Sequence, residues 1–358
     1  MNRIDTFLEL TVRQGGSDLH LVAGLPPRIR AHGDVQPVPF RSLTTQDIEG
    51  FLEEIMPPGV RHQLDVRHNV DFAYVSDVAG RFRANVYRHI GGFAAVLRVI
   101  PNDPPKLETV GLPDVCRQVL DIGKGLVLVT GPTGAGKSTT LAGMVDYVNG
   151  SLNGHIITLE DPVEFLHTYR KCVVTQREIG THAQSFAEAL RAAVREDPDV
   201  ILVGDMRDLE TISLALTAAE TGILVLGTLH TSGAIRTVDR MVNVFPPRRQ
   251  DQVRTMLSDS LRLVVSQRLV RKMDGTGRLA AAEVMVSTTA VSSMIRQGNT
   301  HKLHSVLQSG ARLGMQSLDS VLMEMVRKEL ISGEEAFEHA IDRTSFERYV
   351  APMGDVAA

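Results

Sequence analysis

The sequence has 358 residues, enough for two or three domains of ordinary size and a sizeable core. Its 38 Lys and Arg against 42 Asp and Glu give a net charge of −4, which argues against a chain that holds nucleic acid or anionic lipid through overall charge. The two cysteines, Cys116 and Cys172, form neither a CxxC pair nor a disulfide framework, so a reducing compartment is expected.

Ile4, Phe7, Leu8 and Val12 predict an opening amphipathic helix, and the acids among them do not fit a signal peptide. Strands are predicted over Ser17–Val22, Arg28–Ala31 and Val35–Val38, with a hairpin turn at His32-Gly33-Asp34. Three more follow over 70–76, 80–88 and 93–100, broken at Ala79-Gly80 and Gly91-Gly92. Residues 1–100 therefore read as a small α+β domain. Residues 101–113 hold four prolines and read as an interdomain linker able to act as a hinge.

From residue 114 the pattern changes. Leu126–Thr130, Ile156–Leu159, Val200–Gly204 and Ile223–Leu229 are nearly continuous apolar runs, as in parallel strands covered by helices on both faces. Phe186, Leu190, Ala193 and Val194 share one helical face, as do Leu209, Ile212, Leu216 and Ala219. Residues 114–287 thus form an α/β core, and 288–358 a helical C-terminal region. Arg248–Lys272 carries seven Lys and Arg against two Asp and is read as a solvated helix face, with docking to an acidic partner as the sharper alternative. The longest apolar runs fall far short of the roughly 20 residues that span a bilayer, so any membrane role is expected to run through a partner.

Gly131-Pro-Thr-Gly-Ala-Gly-Lys-Ser138 fits GxxxxGK[ST] between a strand and a helix that can start at Lys137. Glycines let the backbone wrap phosphate, and the helix N-terminus adds positive potential. Thr133, Gly134, Ala135, Gly136, Lys137, Ser138 and Thr139 are the candidate nucleotide-binding set, with Lys137 on the β- and γ-phosphates of ATP and the Ser138 hydroxyl on Mg²⁺. Asp199-Val-Ile-Leu-Val-Gly-Asp205 is an apolar strand ending in a carboxylate, so Asp205 is the second candidate ligand for Mg²⁺. Asp208 suits the N-cap of the next helix better than Asp205 does.

Ile156–Glu164 places Glu160, Asp161 and Glu164 after another strand, and any of the three could orient the attacking water. A solvated acidic turn is the plain alternative. His230, between two threonines at the end of Ile223–Leu229, could sense a γ-phosphate, although a lone histidine is more often structural. Arg81, Arg83 and Arg98 could supply transition-state charge from a second domain or simply be exposed strand arginines. His301 and His304 are one helical turn apart without an HExxH glutamate and read as surface residues.

Four segments in this order, GPTGAGKSTT, ITLEDPVEF, REDPDVILVGDMRD and TGILVLGTLHT, resemble the Walker A, Asp box, Walker B and His box of the ATPases of type II secretion and type IV pili. GGSDLHLVAGLPPRIRAHGDV and LGMQSLD resemble the pilus retraction subgroup, the PilT-like proteins, and the likeness runs over roughly residues 1–345. The resemblance implies a PAS-like N-terminal domain and a RecA-like P-loop ATPase domain in a cytoplasmic ring, most often a hexamer. It implies that Glu164 positions the attacking water, that Asp205 is the Walker B residue, and that Arg83 and Arg98 close onto the phosphates. It also implies docking on an inner-membrane pilus platform protein, with no nucleic acid, no direct membrane insertion, and a paralogous ATPase as a further partner. The implied function is pilin disassembly driving pilus retraction and twitching motility. An accessory ring subunit regulating a paralogue, or a nucleic-acid translocase, are the alternatives. Three positions depart from the family: Asp205 where Glu is common, Ile223 where the His box has its first histidine, and Ala290–Gln297 where the subgroup carries an AIRNLIRE-like segment.

Overall fold

Alternating burial along Asn69–Ser76, every second side chain inward, makes a strand that covers a core with one face. The same logic builds the first of two compact units, Met1–Asp103, in a computed structural model that describes residues 2–31, 34–101 and 103–350. Its strands are β1 (Asp18–Val22), β2 (Arg28–Ala31), β3 (Asp34–Pro37), β4 (Asn69–Ser76), β5 (Gly80–His89) and β6 (Gly92–Ile100). They form one antiparallel sheet in the order β3-β2-β1-β6-β5-β4. The turn predicted at His32-Gly33 lies outside the described residues.

Helices α1 (Asp5–Arg13), α2 (Thr45–Ile55) and α3 (Pro58–Arg67) pack on this sheet. Ile4, Phe7 and Leu8 are buried as the pattern predicts, but Val12 is exposed and Thr11 takes the inward place, its hydroxyl donating to the Phe7 carbonyl. A reciprocal cap starts α2: the Thr44 hydroxyl accepts from Asp47 N, and Asp47 accepts from Thr44 N.

The second unit, Pro104–Ala358, has seven strands: β7 (Gly125–Thr130), β8 (His155–Glu160), β9 (Val173–Glu178), β10 (Val200–Val203), β11 (Leu224–Leu229), β12 (Leu261–Arg271) and β13 (Arg278–Val286). The order is β13-β12-β7-β11-β10-β8-β9, all parallel except β13. Leu126 and Leu128 point into one core and Val127 and Val129 into the other, so the central strands are buried on both faces. On one face lie α6 (Phe186–Ala193), α7 (Leu209–Glu220), α8 (Ala234–Asn243), α9 (Pro247–Ser260), α10 (Thr289–Arg296) and α11 (Leu303–Ser309). On the other lie α4 (Val115–Asp121) and α5 (Lys137–Ser151). Leu107 joins this second core, so part of the proline-rich segment packs with this unit. A smaller core holds α12 (Leu318–Arg327) and α13 (Gly333–His339) against the outer ends of β12 and β13.

Arg248–Lys272 is not a single solvated helix face: α9 ends at Ser260, and Leu261–Arg271 is a sheet strand flanked by β7 and β13. Leu263, Val264 and Val265 are fully buried, and this apolar run outweighs the flanking arginines. In this unit the predicted helix faces hold except at Val194, which lies just past α6 and is exposed.

Candidate active site

A parallel strand that ends in glycines and meets a helix start gathers backbone donors at one point. Here β7 ends at Thr130 and α5 begins at Lys137. Between them Gly131, Gly134 and Gly136 have φ of 144°, 78° and 83°, a region that side-chain-bearing residues rarely enter. At Gly131 space forbids a side chain as well, since a Cβ would stand 2.3 Å from the Gln267 carbonyl oxygen. The loop opens on a cleft of about 690 Å³, within the range of small-molecule sites. Thr133, Gly134, Gly136, Lys137, Ser138 and Thr139 line it, whereas Ala135 is buried behind the loop.

Lys137 Nζ donates to the Gly131 and Pro132 carbonyls at 3.1 and 3.0 Å, which holds the ammonium across the loop. Burial pushes it below the usual lysine range, against the pull of Asp205 and Glu164.

Asp205 sits two residues beyond β10 on a short loop pinned from both sides. Gly204 N donates to the Leu159 carbonyl at 2.7 Å, and the Thr228 hydroxyl donates to the Gly204 carbonyl at 2.6 Å. Asp205 Oδ2 lies 2.5 Å from Arg207 Nε and 3.3 Å from His230 Nε2. Asp205 Oδ1 is buried and has no hydrogen-bond partner among the described residues. An orphaned buried carboxylate oxygen is costly, and a hard divalent cation or its bound water satisfies it. With the Ser138 hydroxyl on the same cleft, the donor set fits Mg²⁺.

The three acids at and after the end of β8 divide clearly. Glu160 turns inward, accepting from the Thr158 hydroxyl at 2.6 Å and from Gln176 Nε2 at 3.3 Å, and burial raises its pKa. Asp161 and Glu164 line the cleft, and Glu164 is exposed to it. His230 follows β11 at the carboxyl edge of the sheet. Ile223 lies just before β11 at the amino edge, partly buried against the core, and its carbonyl accepts from Gly125 N.

Arg83 and Arg98 belong to the other unit. They are directly paired across β5 and β6, and carboxylates of that unit hold them: Arg83 Nε to Asp71 at 3.1 Å and Arg98 Nε to Asp18 at 2.8 Å. Asp18 feels burial first, which raises it, but the Ser17 hydroxyl and Arg98 bring it below the usual carboxylate range. Asp208 caps α7, accepting from Thr211 N at 2.8 Å, as its position predicted. His301 and His304 are exposed.

Sequence reasoning missed Arg207, Leu269 and Arg278 on the cleft wall, and Gln176 and Gln267 behind it. For Gln267 a signal existed: Ser266-Gln267 directly follows the apolar run Leu263–Val265, and buried polar groups need partners.

A phosphate-binding loop, carboxylates and a histidine at the carboxyl edge of a helix-covered parallel sheet define a P-loop nucleotide-binding domain. The profile of the type II/IV secretion system proteins matches residues 69–347. The chain is 49% identical over 337 residues to the type IV pilus retraction ATPase PilT of Pseudomonas aeruginosa, covering 94% of this chain and 98% of that one. It is 46% identical over 319 residues to a twitching motility protein of Neisseria gonorrhoeae, covering 89% and 85%. Among solved structures, the pilus retraction motor PilT with bound ADP matches with a TM-score of 0.89 and 43% identity, over 97% of this chain and 99% of that one. The chain belongs to the type II/IV secretion system protein family. Among the described residues no helix is long and apolar enough to cross a membrane.

Proposed function

We propose that this protein is an ATP-hydrolysing ring motor that powers type IV pilus retraction, and with it twitching motility. The observation that carries the reading is the convergence of the P-loop, Glu164, Asp205 and His230 on one cleft, in a chain similar over 94% of its length to a pilus retraction ATPase.

In this reading the 131–138 loop binds the phosphates of ATP, with Lys137 on the β- and γ-phosphates. Ser138 and Asp205 would hold Mg²⁺, which when bound offsets charge on the phosphate oxygens. Glu164 orients the attacking water and accepts its proton, being the glutamate of its segment that faces the cleft. His230 reads the γ-phosphate position, and its contact with Asp205 ties that reading to the metal ligand. Arg83 and Arg98 supply charge stabilisation from the N-terminal unit, whose α+β build we read as PAS-like. The second unit is read as RecA-like, with residues 101–113 as linker and 288–350 as a helical region; the rest of the C-terminal region expected from the sequence, 351–358, lies outside the described residues.

The motor would assemble as a hexameric ring on the cytoplasmic side, peripheral to the inner membrane, docked on the pilus platform protein. The test is ATP turnover together with native mass on the purified chain. Mg²⁺-dependent hydrolysis by a hexamer, abolished by Lys137→Ala, is expected. Near wild-type turnover by Lys137→Ala, or a monomer only in ATP and Mg²⁺, contradicts it.

A further inference from the structure

The strand behind the phosphate loop carries a buried amide that the chemistry above does not use. β12 pairs with β7 as far as Ser266 opposite Thr130, so the next residue, Gln267, stands beside Gly131 where β7 turns into the loop. Gln267 is 1% exposed, and three parts of it touch the loop or its helix. Its Nε2 donates to the Ala135 carbonyl at 2.6 Å. The Ala135 carbonyl can only accept, so the amide nitrogen must face it, and the remaining Oε1 accepts from the fully buried Thr140 hydroxyl of α5 at 2.9 Å. Its backbone carbonyl fills the space that a side chain at Gly131 would need.

In a trans peptide the C=O and the following N–H point in opposite directions. With the Ala135 carbonyl drawn toward β12, the Gly136 N–H points away from β12. Gly136 lines the cleft on one side and, on the other, would bring a Cβ to 3.1 Å from Gln267 Nε2. The orientation of a phosphate-facing donor is therefore set from behind by a residue that does not line the cleft.

We propose that Gln267 is a positioning residue for nucleotide, acting through Ala135 and Gly136, with Thr140 as its own orienting partner. The inference rests on the nucleotide reading given above. Because both ADP and ATP need the loop donors, it predicts a loss of affinity more than a loss of chemistry.

The experiment measures ADP affinity by calorimetry, ATPase KM and kcat, and thermal stability on the full chain. Gln267→Met keeps volume without charge or hydrogen bonds. It should weaken ADP binding and raise KM by tenfold or more, with a smaller fall in kcat. Thr140→Val should shift the same parameters in the same direction, and Thr140→Ser should stay close to wild type. The double variant Gln267→Met with Thr140→Val should be no worse than Gln267→Met alone, since the two act as one unit. Wild-type affinity in Gln267→Met overturns the inference, whether or not its melting temperature falls, because a core role moves stability only. If Gln267→Met does not fold, Thr140→Val decides by the same criterion. If the wild-type chain binds no ADP, the nucleotide reading itself falls and this inference with it.

Discussion

Asp205 Oδ2 lies 3.3 Å from His230 Nε2, joining the ends of two neighbouring parallel strands, β10 and β11, at the mouth of the nucleotide cleft. In the function proposed above, this contact would let His230 respond to phosphate and pass the response to the residue proposed to hold Mg²⁺. Ile223 is seven residues back on the same chain segment, roughly 23 Å away at about 3.3 Å per residue, at the opposite edge of the sheet. His230→Ala should cut kcat by tenfold or more, about 1.4 kcal/mol of transition-state stabilisation. Ile223→His should leave turnover within a few-fold and lower thermal stability, since an imidazole would replace an aliphatic side chain packed on the core. Normal hydrolysis by His230→Ala, or a substantial gain in turnover by Ile223→His, contradicts the assignment.

Glu164→Gln should bind ATP normally and lose most of its hydrolysis, about 10²–10⁴-fold, because the amide cannot accept a proton. Glu160→Gln should be milder in its effect on chemistry, since Glu160 faces Thr158 and Gln176 rather than the cleft. Single-turnover rates at saturating ATP separate the two. A crippled Glu160→Gln beside a normal Glu164→Gln would reverse the roles.

Removal of Mg²⁺ with a chelator should stop turnover, and restoring it should recover the rate. Asp205→Asn should raise the Mg²⁺ concentration needed for half-maximal rate by tenfold or more, because the buried Oδ1 loses its share of negative charge. An unchanged Mg²⁺ dependence in Asp205→Asn would remove this residue from the metal site.

Arg83 and Arg98 face each other across β5 and β6, an arrangement that costs energy unless carboxylates offset it, as Asp71 and Asp18 do here. Arg83→Ala and Arg98→Ala should lower kcat more than they raise KM, because transition-state charge is what they would stabilise. Equal losses in binding and turnover would point to folding or simple ligand contact instead.

Much of this was legible in the sequence, for identifiable reasons. The P-loop and the runs ending at Thr130, Gly204 and Leu229 were visible because strands buried on both faces leave continuous apolar stretches. β9, β12 and β13 were not. Val173–Glu178 is short and polar at its end, and the arginines around Leu261–Arg271 disguise a strand whose middle is fully buried. Residue type could not separate Glu160 from Glu164; only the fold shows which one turns inward. Gln267 escaped notice because its partners, Ala135 and Thr140, lie more than 120 residues away in sequence.

The most direct measurement follows single labelled pili in a source strain lacking this chain, complemented with wild type or Lys137→Ala. Restored retraction with wild type, and extended pili that never retract with Lys137→Ala, is the predicted result. Retraction at the wild-type rate with Lys137→Ala, or no retraction with the wild-type chain at normal abundance, would contradict the account.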